Sequence, residues 1–398
     1  MSKRGTDVRL ATRGSDLALR QAAEVQAALE DRRFAVELVE VETTGDEIRD
    51  ELIHRLGKTG AFVRSLDEKV VSGDLDAAVH SMKDMPTEGA EDLVVAAIPE
   101  RASANDVLVT PDGKSLDELP AGATVGTSSL RRQAQLLHHR SDLTVEPLRG
   151  NVDTRAEKLL APALQREHEE RTEAEKEKQS NKAKAQKGHT VDYDAKFDRS
   201  VEEWFEGLDE IERRALEREV DTEFDAIVLA QAGLERSGLA HHLEYAELSA
   251  DEFVPAPGQG ALAVTALDGD LAEDLHAVLD HPRTRVETTV ERTVLAELGG
   301  GCVAPIGVHA LIQGEHVHVD VQVFSQDGEE VVEATRDLPV ENHAAAAADL
   351  AAELAEQGAA ELIEAATEDA DDESDDPPVG KRGESVHDGD GPGEDGTE

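Results

Sequence analysis

Three segments of this 398-residue chain place arginine beside glycine and small hydroxyl or amide side chains. They are Arg13-Gly14-Ser15, Gly126-Thr127-Ser128-Ser129-Leu130-Arg131-Arg132 and Arg149-Gly150-Asn151-Val152-Asp153-Thr154-Arg155. Each follows a short apolar run and opens a helical pattern. The start of a helix presents backbone N–H groups with no partner inside the helix, and these attract anions. Hydroxyls add donors, and arginine adds forked, charge-assisted pairs for carboxylates. Any one of these arginines could pair with a surface acid instead. Three at equivalent junctions point to a polyanionic ligand. None of the three carries the P-loop lysine pattern or the GxGxxG dinucleotide pattern.

Two other places carry chemistry. His80-Ser81-Met82-Lys83-Asp84-Met85-Pro86 closes an apolar run, so Asp84 falls at the carboxyl end of a strand, where α/β clefts bind ligands. A carboxylate beside lysine and arginine stays ionised and can steady a cationic intermediate; the simpler role is a pair with Lys83. His80 reads as structural. Cys302, the only cysteine, follows Gly299-Gly300-Gly301 and precedes Pro305 and Gly307. Such a segment predicts a bent loop. Its thiol is either a small buried hydrophobe or an anchor for something covalent. A single cysteine excludes an internal disulfide framework and a cysteine-rich metal site.

The elements that must position these residues alternate. Val8 to Ala11 is strand-like, and Ser15 precedes a helical pattern through Leu17, Ala22, Val25 and Leu29. Strand, helix, strand and strand follow at 34–41, 62–71, 76–79 and 93–98, and the cycle restarts at Asp106. Apolar runs recur at 224–230 and 261–264. This alternation predicts α/β lobes with mostly parallel sheets and a cleft between them. After Asp280, a helix through Val286, Val290, Val294 and Leu298 leads into the cysteine loop. Strands at 308–312, 317–323 and 331–335 and a helix over 343–366 then predict a small α+β domain. The expected organisation is lobe 1 from 1–101 and 254–270, lobe 2 from 105–250, the α+β domain from 280–366, and a disordered acidic tail from 367–398. An insert at about 162–221 interrupts lobe 2. Its first half, 165–188, is almost wholly charged or polar and reads as a solvated helix or a disordered insert. Its second half carries Val201, Trp204, Phe205, Leu208, Ile211 and Leu216 at helical spacing, which predicts one packed helix.

Eighty-eight acids face forty Lys and Arg, a net charge of −48. That surface repels nucleic acid and anionic membranes. It also repels itself, except at molar salt, where the Debye length falls to about 3 Å. A salt-adapted cytoplasm is the expected setting: no apolar signal region opens the sequence, and no run is long enough for a membrane span.

Together these motifs resemble the hydroxymethylbilane synthase (porphobilinogen deaminase) family. The resemblance also takes in Arg9 to Arg13, Thr44-Gly45-Asp46, Gly60-Ala61-Phe62-Val63, Asp225 to Gly233, Pro257-Gly258-Gln259-Gly260 and the Gly299 to Gly307 loop. It implies two lobes like those of solute-binding proteins and a third domain bearing the cysteine. It further implies a dipyrromethane cofactor joined through a thioether to Cys302. Four porphobilinogen units are added head to tail, each losing ammonia, and water releases the linear tetrapyrrole. By resemblance, Lys83, Asp84, Thr127, Ser129, Arg131 and Arg132 bind the cofactor, and Arg13, Ser15, Arg149 and Arg155 bind substrate acids. Asp84 then stabilises the azafulvene cation left when ammonia departs. Porphobilinogen carries an acetate and a propionate, which suits the arginine junctions. The family implies a monomer that needs neither metal nor redox cofactor. In one departure, the family's Gly-Gly-Lys-Gly reads Gly57-Lys58-Thr59-Gly60 here. Two other readings remain: a noncatalytic two-lobed carboxylate-binding module, and a cysteine hydrolase needing a histidine such as His309 or His316 beside Cys302.

Overall fold

The computed structural model describes residues 6–41, 61–87, 92–187, 196–301 and 304–366. Cys302, the Thr44 to Asp46 and Gly57 to Gly60 segments, and the acidic tail lie outside the described residues.

The first lobe begins with β1 (Asp7–Arg13), helix α1 (Asp16–Glu30), β2 (Ala35–Val41), helix α2 (Ala61–Val71), β3 (Ala77–Ser81) and β4 (Leu93–Ala97). The second lobe has β5 (Asp106–Val109), β6 (Thr124–Gly126), α3 (Leu130–His139), β7 (Thr144–Glu146), α4 (Val152–Gln186), α5 (Val201–Glu206), α6 (Glu210–Leu216), β8 (Ala226–Ala230), α7 (Gln231–Arg236) and β9 (Tyr245–Leu248). Strand β10 (Leu262–Leu267) returns to the first sheet, giving the orders β2-β1-β3-β10-β4 and β7-β6-β8-β5-β9. In each sheet the fourth strand runs antiparallel to both neighbours, and in each it has crossed over from the other lobe. The chain therefore passes between lobes twice, just before β5 and just before β10. The central strands are buried, in keeping with their near-continuous apolar runs.

Helices α8 (Asp270–Leu279) and α9 (Pro282–Glu297) lead to a three-stranded antiparallel sheet of β11 (Ile306–Gln313), β12 (His316–Phe324) and β13 (Val331–Pro339), followed by α10 (His343–Glu356). Valines 317, 319, 321 and 323 alternate inward and pack with Val290, Val294, Leu350 and Leu354.

Two expectations need correction. The stripe at 201–216 is two helices, because Asp209 and Glu212 form a capping box that starts a second one. The expected helix over 343–366 is broken in two: α10 stops at Glu356, Gly358 turns at φ +99°, and helix resumes over 359–366. The charged segment after Gln165 is helical to Gln186, and Trp204 is buried against Ala161, Leu164, Leu208 and Ala215.

Candidate functional site

All three arginine junctions sit at the carboxyl ends of parallel strands. At the first, Ser15 caps α1 by accepting the Ala18 N–H at 3.4 Å. At the second, Ser129 caps α3 by accepting the Arg132 N–H at 3.5 Å, while Thr127 Oγ1 accepts the Ser129 N–H at 3.2 Å. At the third, Asn151 Oδ1 accepts the Thr154 N–H at 2.9 Å. A capping hydroxyl accepts through its oxygen and keeps its own proton to donate, so Ser15 and Ser129 can each still serve an anion. Gly150 sits at φ +109°, and a Cβ there would lie 2.4 Å from Thr154, so no other residue fits this junction unstrained. A cavity of about 440 Å³ lies beside the starts of α1 and α4, walled by Asp16, Asn151 and Thr154 and also by Glu157, Arg214 and Arg218.

Arg131 and Arg132 turn inward. Asp106, 1% exposed, accepts from Arg131 Nη2 at 2.7 Å and from Arg132 Nη2 and Nε at 2.7 and 3.2 Å. Gln259 Nε2 donates to the same carboxylate at 2.8 Å. Arg131 Nη1 also donates to Gln135 Oε1 and to the Val254 carbonyl. Two guanidinium groups on one carboxylate leave a buried excess of positive charge. Arg131 Nε is, among the described residues, a buried donor without an acceptor, an arrangement that suits an incoming carboxylate.

On the facing lobe, Lys83 and Asp84 occupy the single 3-10 turn Met82–Asp84 after β3. Asp84 is exposed. Desolvation pulls the Lys83 ammonium below the usual lysine range, the Asp84 carboxylate opposes that, and Arg132, Asp106 and Arg131 all act on it. Arg155 is pushed down to about 10 by desolvation first, then by Arg132, with Asp84 opposing. The structure thus gathers Lys83, Asp84, Arg131, Arg132 and Arg155 into one electrostatic neighbourhood spanning both lobes. Arg149 joins its edge through Lys158, whose pKa is lowered by desolvation and by Arg218, Arg149 and Arg155. Arg13 is half-buried at the end of β1. His80 is buried, with Nε2 2.9 Å from Asp67 and 3.1 Å from Thr265, which bears out its structural reading.

Several residues that hold the site together escaped the sequence reading. Glu291 on α9 is fully buried and accepts from Arg101 Nη1 at 2.7 Å, Arg101 Nη2 at 3.1 Å, Gly258 N at 2.7 Å and Ala310 N at 2.9 Å. Its neighbour Arg292 donates to the carbonyls of Met82, Met85 and Pro86, clamping the turn that bears Asp84. A Cβ at Gly258 would meet Met82 Cγ at 2.8 Å, and one at Gly260 would meet the Ser103 carbonyl at 2.5 Å. Positions 258 and 260 of the second crossover can therefore pack against Met82 and the first crossover only as glycine. A polar residue heading an otherwise apolar strand, as in Asp106-Val107-Leu108-Val109, was the available signal for Asp106.

Helix α9 ends at the glycine run that precedes Cys302 in the sequence. Gly299, at φ +71°, ends the helix, and the Gly300 N–H returns to the Leu295 carbonyl at 3.0 Å. Beyond the loop, a Cβ on Gly307 would lie 2.3 Å from the Val254 carbonyl, so β11 presses directly on the second crossover.

Comparison with known proteins settles the family. The porphobilinogen deaminase, dipyromethane cofactor binding domain model matches residues 8–166 and 210–273, and the porphobilinogen deaminase, C-terminal domain model matches residues 286–357. The chain belongs to the porphobilinogen deaminase family. A probable porphobilinogen deaminase from Halobacterium salinarum is 58% identical over 91% of this chain and 99% of its own length. One from Methanococcoides burtonii is 36% identical over 90% and 96%. The porphobilinogen deaminase of Campylobacter hominis is 34% identical over 91% and 98%. Among solved structures, the periplasmic aliphatic sulphonate binding protein SsuA from Escherichia coli aligns with a TM-score of 0.29 at 13% identity over 98% of both chains. At that score the likeness carries no weight.

As a porphobilinogen deaminase, the chain is a transferase that deaminates porphobilinogen and links four units into linear hydroxymethylbilane on a dipyrromethane primer. The residues present fit that primer: its carboxylates suit a cluster that carries more guanidinium than carboxylate and a buried N–H in want of an acceptor.

Proposed function

We propose that Asp84 is the catalytic carboxylate of this deaminase and that Cys302 carries the dipyrromethane through a thioether. Lys83, Asp84, Thr127, Ser129, Arg131 and Arg132 hold the cofactor, and Arg13, Ser15, Arg149 and Arg155 take the acetate and propionate of incoming porphobilinogen. The observation that carries this reading is Asp84 itself: an exposed acid at the end of β3 that acts electrostatically on both Lys83 of its own lobe and Arg155 of the other.

In each cycle the C–N bond of the aminomethyl group breaks and ammonia leaves. A new C–C bond forms to the free α-carbon of the terminal pyrrole, whose proton is lost. Positive charge develops on the substrate pyrrole between these events. Asp84 accepts hydrogen bonds from pyrrole N–H groups and is best placed to stabilise that charge, since a fixed carboxylate needs no reorganisation. The dipyrromethane supplies the carbon nucleophile and keeps the growing chain attached. The arginine junctions orient the reacting carbons by their side-chain acids.

We also infer a monomer working in the cytoplasm without nucleic acid or membrane. The charge of −48 supports this, and among the described residues no helix is long and apolar enough to cross a membrane. Light scattering in molar KCl tests the oligomeric state.

The intact mass of purified, active protein tests the covalent step. The wild type should exceed its bare sequence mass by one dipyrromethane, and Cys302→Ala should lose both that increment and turnover. Active wild-type protein at the bare mass, or a turning-over Cys302→Ala variant, overturns the assignment.

A further inference from the structure

The insert in the second lobe clasps a buried carboxylate that the reaction, as described so far, does not use. Glu157 lies on α4, two residues past Arg155, with its side chain 3% exposed. One carboxylate oxygen accepts from Arg214 Nε at 2.6 Å and also pairs with Arg214 Nη2; the other accepts from both Nε and Nη2 of Arg218. Arg214 lies on α6, and Arg218 just beyond it. Arg218 Nη2 further reaches Thr154 Oγ1 at 3.4 Å, and Gln165 Nε2 ties the Arg218 carbonyl to α4 at 2.7 Å. Asp153 lies 3.7 Å from Arg214.

Positions two apart on a helix point in opposed directions. Glu157 is therefore held from the insert side, and Arg155 is directed away from that clasp. Arg155 itself is anchored only lightly, its Nε donating to the Gly150 carbonyl at 2.8 Å. Gly150 offers that carbonyl from a left-handed conformation. The direction of Arg155 is thus set mainly by the seating of the first turns of α4.

We propose that the insert is a brace for substrate binding: Arg214 and Arg218 clasp Glu157, seat the first turns of α4, and so fix the angle at which Arg155 meets a porphobilinogen carboxylate. The proposal rests on the assignment of Arg155 to substrate. Glu157, Arg214 and Arg218 are positioning residues and touch no reacting atom.

The test uses holoenzyme in molar KCl and compares Arg214→Gln/Arg218→Gln with Arg155→Gln. Both insert arginines are partly exposed, so the double variant should fold. Its KM for porphobilinogen should rise about tenfold with kcat within about twofold, because misaligned binding weakens capture before chemistry. Arg214→Lys/Arg218→Lys should recover part of the loss. A KM unchanged in the double variant but raised in Arg155→Gln overturns the brace alone, as does a lowered melting temperature without a change in KM. A KM unchanged in Arg155→Gln removes the Arg155 assignment, and the brace falls with it.

Discussion

Arg131 Nη2 donates to Asp106 Oδ2 at 2.7 Å, and the two side chains are 3% and 1% exposed. One lies at the start of α3 and the other at the head of the crossover strand β5, so the bond ties that helix to the first passage between the lobes. With Arg132 on the same carboxylate, the site keeps a net positive charge without exposing it to bulk water, where a dense acidic surface and salt would screen it.

The Asp106 carboxylate is held well below the usual range by Arg131 and Arg132, which outweigh the cost of its desolvation. Its folded pKa therefore lies below its unfolded value, so the stability it contributes is present above about pH 4 and lost as the pH falls toward the folded pKa. Asp106→Asn should destabilise the protein by about 3–5 kcal/mol, since it leaves two guanidinium groups buried beside a neutral amide. It should also flatten the acid limb of stability. Denaturant unfolding from about pH 7 down to about pH 2, which runs from above the unfolded carboxylate range toward the folded one, measures both, and an unchanged acid limb would place the pH dependence elsewhere.

Asp84→Ala should retain the cofactor by mass and lose about 10²–10³-fold in kcat, the size expected for removing a preorganised charge from a developing cation. A near-wild-type rate would mean that Asp84 only pairs with Lys83.

Arg292→Gln should lower kcat by about tenfold with the cofactor still attached, because small misplacements of a catalytic group are costly. The three carbonyls it frees belong to the turn bearing Asp84. Retained kcat would show that the turn holds its shape without α9.

Thermal stability should climb from low to molar KCl as like charges are screened, given 88 acids against 40 Lys and Arg. A melting temperature independent of KCl would remove the salt-adaptation reading.

The sequence by itself determined what is local. Strand and helix periods, the hydroxyl and amide caps at Ser15, Ser129 and Asn151, and the placement of Asp84 after a strand all follow from short-range patterning, so they were readable without a fold. The capping box at Asp209 was equally local and was missed only because the apolar stripe runs on across it. Tertiary structure alone decided the partners of the buried charges. Arg101 and Glu291 are 190 residues apart, Gln259 and Asp106 are 153 apart, and Arg218 and Glu157 are 61 apart. No periodicity links such residues. A buried charge is paired by whichever surface closes over it, and that depends on how the two crossovers, α9 and the insert pack together. The sequence could therefore nominate groups for the ligand. Only the fold could name the groups that hold them in place.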